Sequence, residues 1–330
     1  VDRVLARGLV PAALVLFLAV LASLAFGAGE VGPARAFGAL TTGTDEDARF
    51  AVLQLRLPRT LVAVAVGLAL GVAGAVLQAA ARNPLAEPGL LGVSAGASFA
   101  VVVAIAAGAS AATLGPWVAV LGAAAGCLLA IGAARLRGTG DDPVRLVLAG
   151  AALSGLLGAG TSVVLLLDQR TADEVRFWTV GSVAGRDLGT LAQVGPALAV
   201  GLLIALLVAR PLSALSLGDA TARGLGHRPA RARVLAIVAV ALLVGGAVAA
   251  AGPIAFVGLV VPFLARALVG PDLRRVLAVS LLLGPAVVLV ADVASRLLVR
   301  PYEMPLGVVT ALLGAPVLVA VVRSTRLPSL

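Results

Sequence analysis

The chain has 330 residues, of which 61% are hydrophobic and 12% charged, with a mean hydropathy of +1.11. Those values lie outside the range of a water-soluble domain. The net charge of +9 comes from 25 basic residues that are all arginine. They are scattered through short loops rather than gathered in one stripe or tail, which excludes a nucleic-acid surface. Cys127 and His227 are the sole residues of their kinds, so neither an internal disulfide nor a metal site needing several such ligands is available.

The first apolar run, 10–27, leads into a loop with no convincing small-x-small cleavage site and is read as a retained helix. Arg56 and Arg59 precede the second run, 60–81, which carries Gln78 as its notable polar residue. A proline-containing break at 82–90 follows, and then a marginal run at 91–107. Its start, Gly92-Val93-Ser94-Ala95-Gly96-Ala97-Ser98, is glycine-rich, but a P-loop needs a lysine and the chain has none. Close helix packing through small residues is the reading adopted for that stretch. Further runs at 115–135, 145–167 and 190–209 each match the roughly 17–25 residues needed to cross a bilayer core.

The longest loop on the side assigned to the cytoplasm, 210–231, is amphipathic: Leu215, Leu217, Ala220 and Leu225 supply an apolar face, and Gly218 and Gly224 permit two short helices at an angle. A docking platform for a partner is preferred over a solvated loop, because a solvated loop needs no leucines. The runs at 232–250, 254–268, 276–298 and 306–322 complete the chain; that at 254–268 is short and, like 91–107, is expected to be tilted or partly unwound. Asp292 is the carboxylate deepest in a run, and Arg296 one turn later predicts an i,i+4 ion pair rather than a proton relay.

Ten crossings make an all-α polytopic membrane protein with both termini on one side. If that side is cytoplasmic, it holds 16 arginines and six acids against nine arginines and ten acids outside, which follows the positive-inside preference. Pro84-Leu85-Ala86-Glu87-Pro88-Gly89-Leu90 also aligns with Pro253-Ile254-Ala255-Phe256-Val257-Gly258-Leu259. Each copy follows the second helix of a five-helix half, so the halves would be inverted relative to each other; chance matching in alanine-rich sequence is the other reading.

Several stretches carry a family resemblance. They are Arg56-Leu57-Pro58-Arg59, Arg82-Asn83-Pro84-Leu85-Ala86-Glu87-Pro88-Gly89-Leu90-Leu91-Gly92, and Leu217-Gly218-Asp219-Ala220-Thr221-Ala222-Arg223-Gly224-Leu225-Gly226. Gly258-Leu259-Val260-Val261-Pro262 and the stretch from Glu303-Met304-Pro305 to Leu312-Leu313-Gly314 follow in the same order. Together they resemble the permease family of ABC importers for iron-siderophores, vitamin B12 and haem, over about 56–326. The resemblance implies a single permease domain spanning 1–330 in the plasma (inner) membrane, paired with a second permease subunit that is the same chain or a paralogue. It also implies two cytoplasmic ATPase subunits that hold ATP and magnesium, and an extracytoplasmic substrate-binding protein; no cofactor belongs to this chain.

Carried over by position, Leu215, Leu217, Gly218, Asp219, Ala222, Leu225 and Gly226 match the ATPase-coupling segment, and Asn83 and Leu85 match an inner gate of the vitamin B12 member. Arg56, Arg59 and Arg296 match positions that receive acids from the binding protein in that member. A second gate there uses a Thr-Ser pair where this chain has Pro143 and Val144, and many relatives have histidine where this chain has Phe263. The reading is import of a metal chelate, a ferric siderophore first, by alternating access. Vitamin B12 or haem import by the same architecture, a proton-coupled secondary transporter, and last a membrane-embedded enzyme are the alternatives.

Overall fold

The computed structural model describes residues 3–29, 31–41, 45–109, 116–135, 143–176, 178–299 and 302–323. Among them there is no strand. The helices are α1 (Arg3–Ala25), α2 (Pro33–Thr41), α3 (Glu46–Phe50), α4 (Leu57–Ala81), α5 (Val93–Ala106), α6 (Trp117–Arg135) and α7 (Pro143–Leu167). They continue as α8 (Gln169–Val175), α9 (Leu188–Leu215), α10 (Asp219–Gly224), α11 (Pro229–Ala251), α12 (Val257–Val269), α13 (Leu273–Leu297) and α14 (Leu306–Arg323). A π-helical turn, Ala51–Arg56, leads into α4, and a 3₁₀ turn, Pro88–Leu91, leads into α5.

Ten of these helices coincide with the ten apolar runs. Seven are long and apolar enough to cross a membrane, whereas Val93–Ala106, Val257–Val269 and Leu306–Val317 are shorter apolar helices. At 14 and 13 residues, α5 and α12 reach only about 20 Å, against a core of about 30 Å. The missing depth is covered by the non-helical stretches before them, as the prolines at 84, 88 and 253 foretell. Open backbone at such depth is tolerated only where protein surrounds it. Here Ser182 N donates to Ala251 O at 2.7 Å, Gly307 N to Gly181 O at 3.2 Å, and Phe256 N to the Glu87 carboxylate at 2.7 Å.

Helix α4 is the central post. Its three glycines allow neighbours to touch its backbone: a Cβ on Gly67 would stand 2.4 Å from Gly284 O, and one on Gly74 only 1.8 Å from Gly258 O. Gly71 lies between them against Ser280 and Val261. Thus α13 and α12 both close directly onto α4. The glycine-rich start of α5 does the same with α6, where Gly92 and Gly96 interlock with Gly122 and Gly126 at Cβ-to-carbonyl separations of 2.3–3.2 Å. In lipid, where no hydrophobic force drives apolar helices together, such approach is what binds them.

The packing partners partly follow the repeat suggested by the sequence. Helix α4 lies on α13 as α11 lies on α6, and α5 lies on α6 as α12 lies on α13. The correspondence breaks at the first helix of each half: α9 packs along α11, while α1 leaves α4 and packs on α13. The two matched segments themselves meet, since Pro88 abuts Gly258 and Glu87 bonds Phe256.

One boundary differs from the sequence reading. The loop expected at 210–231 does not begin at 210, because α9 continues through Pro211 to Leu215 and caps at Ser216. Proline is accommodated at 211 within this long helix, and Leu212 and Leu215 bury against the core. One short helix, α10, occupies the remainder instead of two.

The outward faces of α1, α6, α7 and α9 expose large apolar side chains, among them Phe17, Leu128, Leu166 and Leu207. In water that surface would aggregate; in a bilayer it is the required one. We expect Gly74→Ala to force α4 and α12 apart and cost about 1–3 kcal/mol of stability in detergent. Gly158→Ala on α7, where a Cβ meets nothing within 4 Å, should leave the unfolding midpoint unchanged or raised.

Candidate functional sites at the two ends of the bundle

The end carrying α2, α3 and α8 holds a buried charge cluster. Asp292, fully buried on α13, pairs with Arg296 one turn later, as the sequence predicts, and also with Arg59 of α4 at 2.7 Å. Arg59 turns its other nitrogen to Glu303 at 2.8 Å. Arg296 further donates to Ser23 O at 2.9 Å and Phe26 O at 3.1 Å. Arg56 donates to Leu24 O, Ala25 O and Val31 O at 2.9, 2.8 and 2.6 Å.

These contacts have one logic. Helix α1 ends at Ala25 with carbonyls that have no helical partner, and its C-terminus is the negative end of its macrodipole. Two arginine forks from α13 and from the turn before α4 supply the donors. The arginines expected at 56, 59 and 296 are therefore brought together, and all three line a cleft of about 440 Å³. Within the chain they are also engaged: Arg296 is 1% exposed and Arg56 7%.

Sequence reading passed over Arg186, which lines the same cleft from the loop before α9. Burial pushes its guanidinium below the usual arginine range, partly countered by Asp187, and its Nε has no hydrogen-bond partner. No local signal distinguishes it, because only the return of the 182–187 loop over α4 and α13 places it there.

The opposite end carries α10. Gly218 at φ 103° starts it and Gly226 at φ 82° follows it, conformations that favour glycine at both hinges of the segment. The coupling residues expected from the sequence separate into two sets. Leu215 and Ala222 are buried and hold the segment to the bundle, whereas Leu217 and Leu225 stand 67% and 60% exposed. Asp219 opens α10 and joins Arg82 at the end of α4 and Arg233 of α11, the latter at 2.8 Å. Burial tends to raise the Asp219 carboxyl, but Arg233 and then Arg82 outweigh it and hold it below the usual carboxylate range. The Asp219 carboxyl is therefore held in its ionised form in this junction.

Asn83 and Leu85 follow at once. Helix α4 ends in a paired closure: Arg82 adopts φ 46°, its N–H donates to Ala79 O at 3.3 Å, and Asn83 N donates to Gln78 O at 3.1 Å. The Asn83 side chain then accepts from Leu85 N at 2.9 Å. Both residues are half-buried. The turn thus terminates α4 and at the same time fixes where these side chains begin. Arginine is an uncommon residue at positive φ, and its pairing with Asp219 offsets that strain.

Gln78, the notable polar residue of its run, makes an interhelical hydrogen bond, accepting from Arg266 of α12 while facing Gly258 O at 3.5 Å. Glu87 does not sit in a loop at the α10 end, as the charge count assumed, but is drawn into the bundle by Phe256 N at 2.7 Å. There it borders a mostly apolar cleft of about 730 Å³ with Ser94, Thr179, Pro253 and Ala311. Pro143 begins α7, and the side chains of Pro143 and Val144 lie outside the described residues. No group of three or more His, Cys, Asp or Glu capable of holding a metal ion occurs among the described residues.

Removing the carboxylate at 292 should leave two guanidiniums buried beside each other. Asp292→Ala is expected to cost about 3–5 kcal/mol, read as a lowered unfolding midpoint in detergent, while Glu174→Ala, at the exposed i,i+4 pair with Arg170, should change it little.

Comparison with known proteins agrees with this arrangement. The chain matches the FecCD transport family over residues 15–324. It is 45% identical over 312 residues to the ferric enterobactin transport system permease protein FepD of Escherichia coli (strain K12), covering 94% of this chain and 93% of that one. It is 36% identical over 314 residues to a siderophore transport system permease protein, YfiZ, of Bacillus subtilis (strain 168), with 94% and 93% covered. The hemin transport system permease protein HmuU of Yersinia pestis is 38% identical over 308 residues, 91% of each chain. Among solved structures, an inward-facing metal-chelate type ABC transporter superposes with a TM-score of 0.81 at 29% identity, covering 96% of this chain and 99% of that one. With matches that run nearly end to end, and with its crossings where that fold has them, this multi-pass membrane protein belongs to the FecCD transport family.

Proposed function

We propose that the chain is the permease subunit of an ATP-driven importer that moves a ferric siderophore into the cytoplasm. The observation that carries the mechanism is the Asp219 junction, where one carboxylate on α10 holds both the end of α4 and the start of α11. On this reading the ATPase seats against the exposed Leu217 and Leu225. Its closure displaces α10, and Asp219 passes that displacement to Arg82, the residue before Asn83. Asn83 and Leu85 form the inner gate, and α4 moves as a rigid post against α12 and α13. Such a device is a pair of alternating arrangements biased by a partner's contacts.

The α10 end faces the cytoplasm and both termini lie on that side, in keeping with the arginine distribution. The opposite cleft receives acidic side chains of an extracytoplasmic binding protein, with Arg56, Arg59 and Arg296 at its base. Arginine forks suit bidentate capture of carboxylates, and Arg59, already shared between two acids, is placed to exchange Glu303 for a partner's carboxylate. Residues 1–330 act as one permease domain that pairs with a second copy or a paralogue. ATP hydrolysis resides on separate subunits, since this chain has no lysine for a P-loop. The siderophore class follows the FepD and YfiZ relatives. Asp292, the carboxylate a proton-coupled carrier would use, is committed to Arg59 and Arg296.

Two substitutions test this. Leu225→Glu should leave assembly in the membrane intact and sever ATP hydrolysis from uptake in proteoliposomes containing the ATPase and binding protein, because it buries a charge in the contact. Normal uptake by that variant would remove α10 from the ATPase interface. Leu85→Ala should raise leakage of small solutes from proteoliposomes without ATP; unchanged leakage with lowered stability would reduce the turn to a helix terminator.

A further inference from the structure

Arg266 is the arginine of the bundle whose surroundings do not account for its charge. It lies in the last turn of α12 and is 4% exposed. Its Nη2 donates to Gln78 Oε1, its Nε has no hydrogen-bond partner, and it forms no ion pair with a described carboxylate. The contrast with the other end is direct: Arg296 has Asp292 and two carbonyls, and Arg59 has two carboxylates. A neutral amide offers one acceptor to a group with five donors, and burying such a cation is costly without a compensating anion.

The space beside it is suited to one. A cleft of about 510 Å³ opens between α4, α9, α12 and the beginning of α13, with Arg82, Ser213, Ser216, Arg266, Asp272 and Leu273 on its walls. The first turn of α13 contributes the positive end of a 25-residue helix. Asp272, the one carboxylate on the wall, is engaged as that helix's cap, accepting from Arg275 N at 3.0 Å. Arg82 at the same wall is held by Asp219. The two serine hydroxyls donate to Ala209 O and Ser213 O at 2.9 and 2.7 Å, leaving their oxygens without a claim on an anion.

We infer that this cleft is an anion site that takes a phosphate group, carried by a phospholipid headgroup or free in solution. A phosphate matches the arginine fork and the helix terminus together, and the cleft has room for a headgroup. The site does not depend on the cargo or on the direction of transport. It adds a ligand at the end where α10 sits, next to Leu217 of the coupling segment.

The test uses the full chain in maltoside micelles, which contain no phosphate. Phosphatidylglycerol or inorganic phosphate is titrated, and binding is read from the thermal midpoint and from adducts kept in native mass spectrometry. Wild type should show a saturable upward shift, and Arg266→Gln should weaken it about tenfold or more, the loss of one charge-assisted hydrogen bond. Arg274→Gln, exposed and outside the cleft, should bind as wild type does. A response to phosphatidylglycerol alone identifies a headgroup, and an equal response to inorganic phosphate identifies the free anion. Should Arg266→Gln fail to fold, Arg266→Lys, which keeps the charge and loses the planar fork, serves as the second variant and must also weaken binding. The inference is overturned if wild type shows no saturable response to either probe, or if the cleft variants bind as tightly as wild type.

Discussion

Close backbone contact along α4 is the constraint on which the remaining architecture depends. A bilayer offers apolar helices no hydrophobic reason to associate, so contact area and short-range dispersion must hold them. Gly67, Gly71 and Gly74 give α4 a face without side chains, and α13 and α12 close onto it at distances no Cβ would permit. Once those three helices are fixed, both charged ends are fixed too. Arg59 near the start of α4 meets Asp292 of α13, and Gln78 near its finish meets Arg266 of α12.

The two ends solve the cost of buried charge differently. At the α8 end, arginines serve as caps for α1 and as counter-ions for Asp292, with their terminal nitrogens directed at acceptors in the chain. At the α10 end, charge ties one short helix to two long ones instead. Asp219 is partly exposed and grips two arginines from different helices, a contact that water can enter. A pair open to water is worth less than a buried one in which every charge has a partner.

Broken helices connect these ends to the interior. The segments at 82–92 and 252–256 lower backbone into the bundle where α5 and α12 are too short to span, and they touch through Glu87 and Phe256. Their polar groups find partners in the protein, which is the condition for non-helical chain at that depth. Asn83 and Leu85 therefore sit between the Arg82–Asp219 ion pair and the interior hydrogen bond of Glu87 with Phe256.

Much of this was legible in the sequence by itself. The ten apolar runs each become a helix, seven of them long enough to cross a bilayer, and prolines at 84, 88 and 253 mark the breaks because proline removes a helical donor. The pairing of Asp292 with Arg296 follows from helical spacing alone, and Gln78 announces a partner by being polar within an apolar run. Tertiary structure decided what spacing cannot express. Arg59 reaches Asp292 across 233 positions and Arg266 reaches Gln78 across 188, while Arg186 arrives at the cleft beside Arg56 and Arg59 only because its loop folds back. The end of α9 at Leu215 was hidden for a related reason. Proline and small polar residues read locally as a loop, but burial of Leu212 and Leu215 against the bundle keeps the helix going. Local chemistry tells what each residue requires; the packing of α4 decides which distant residue supplies it.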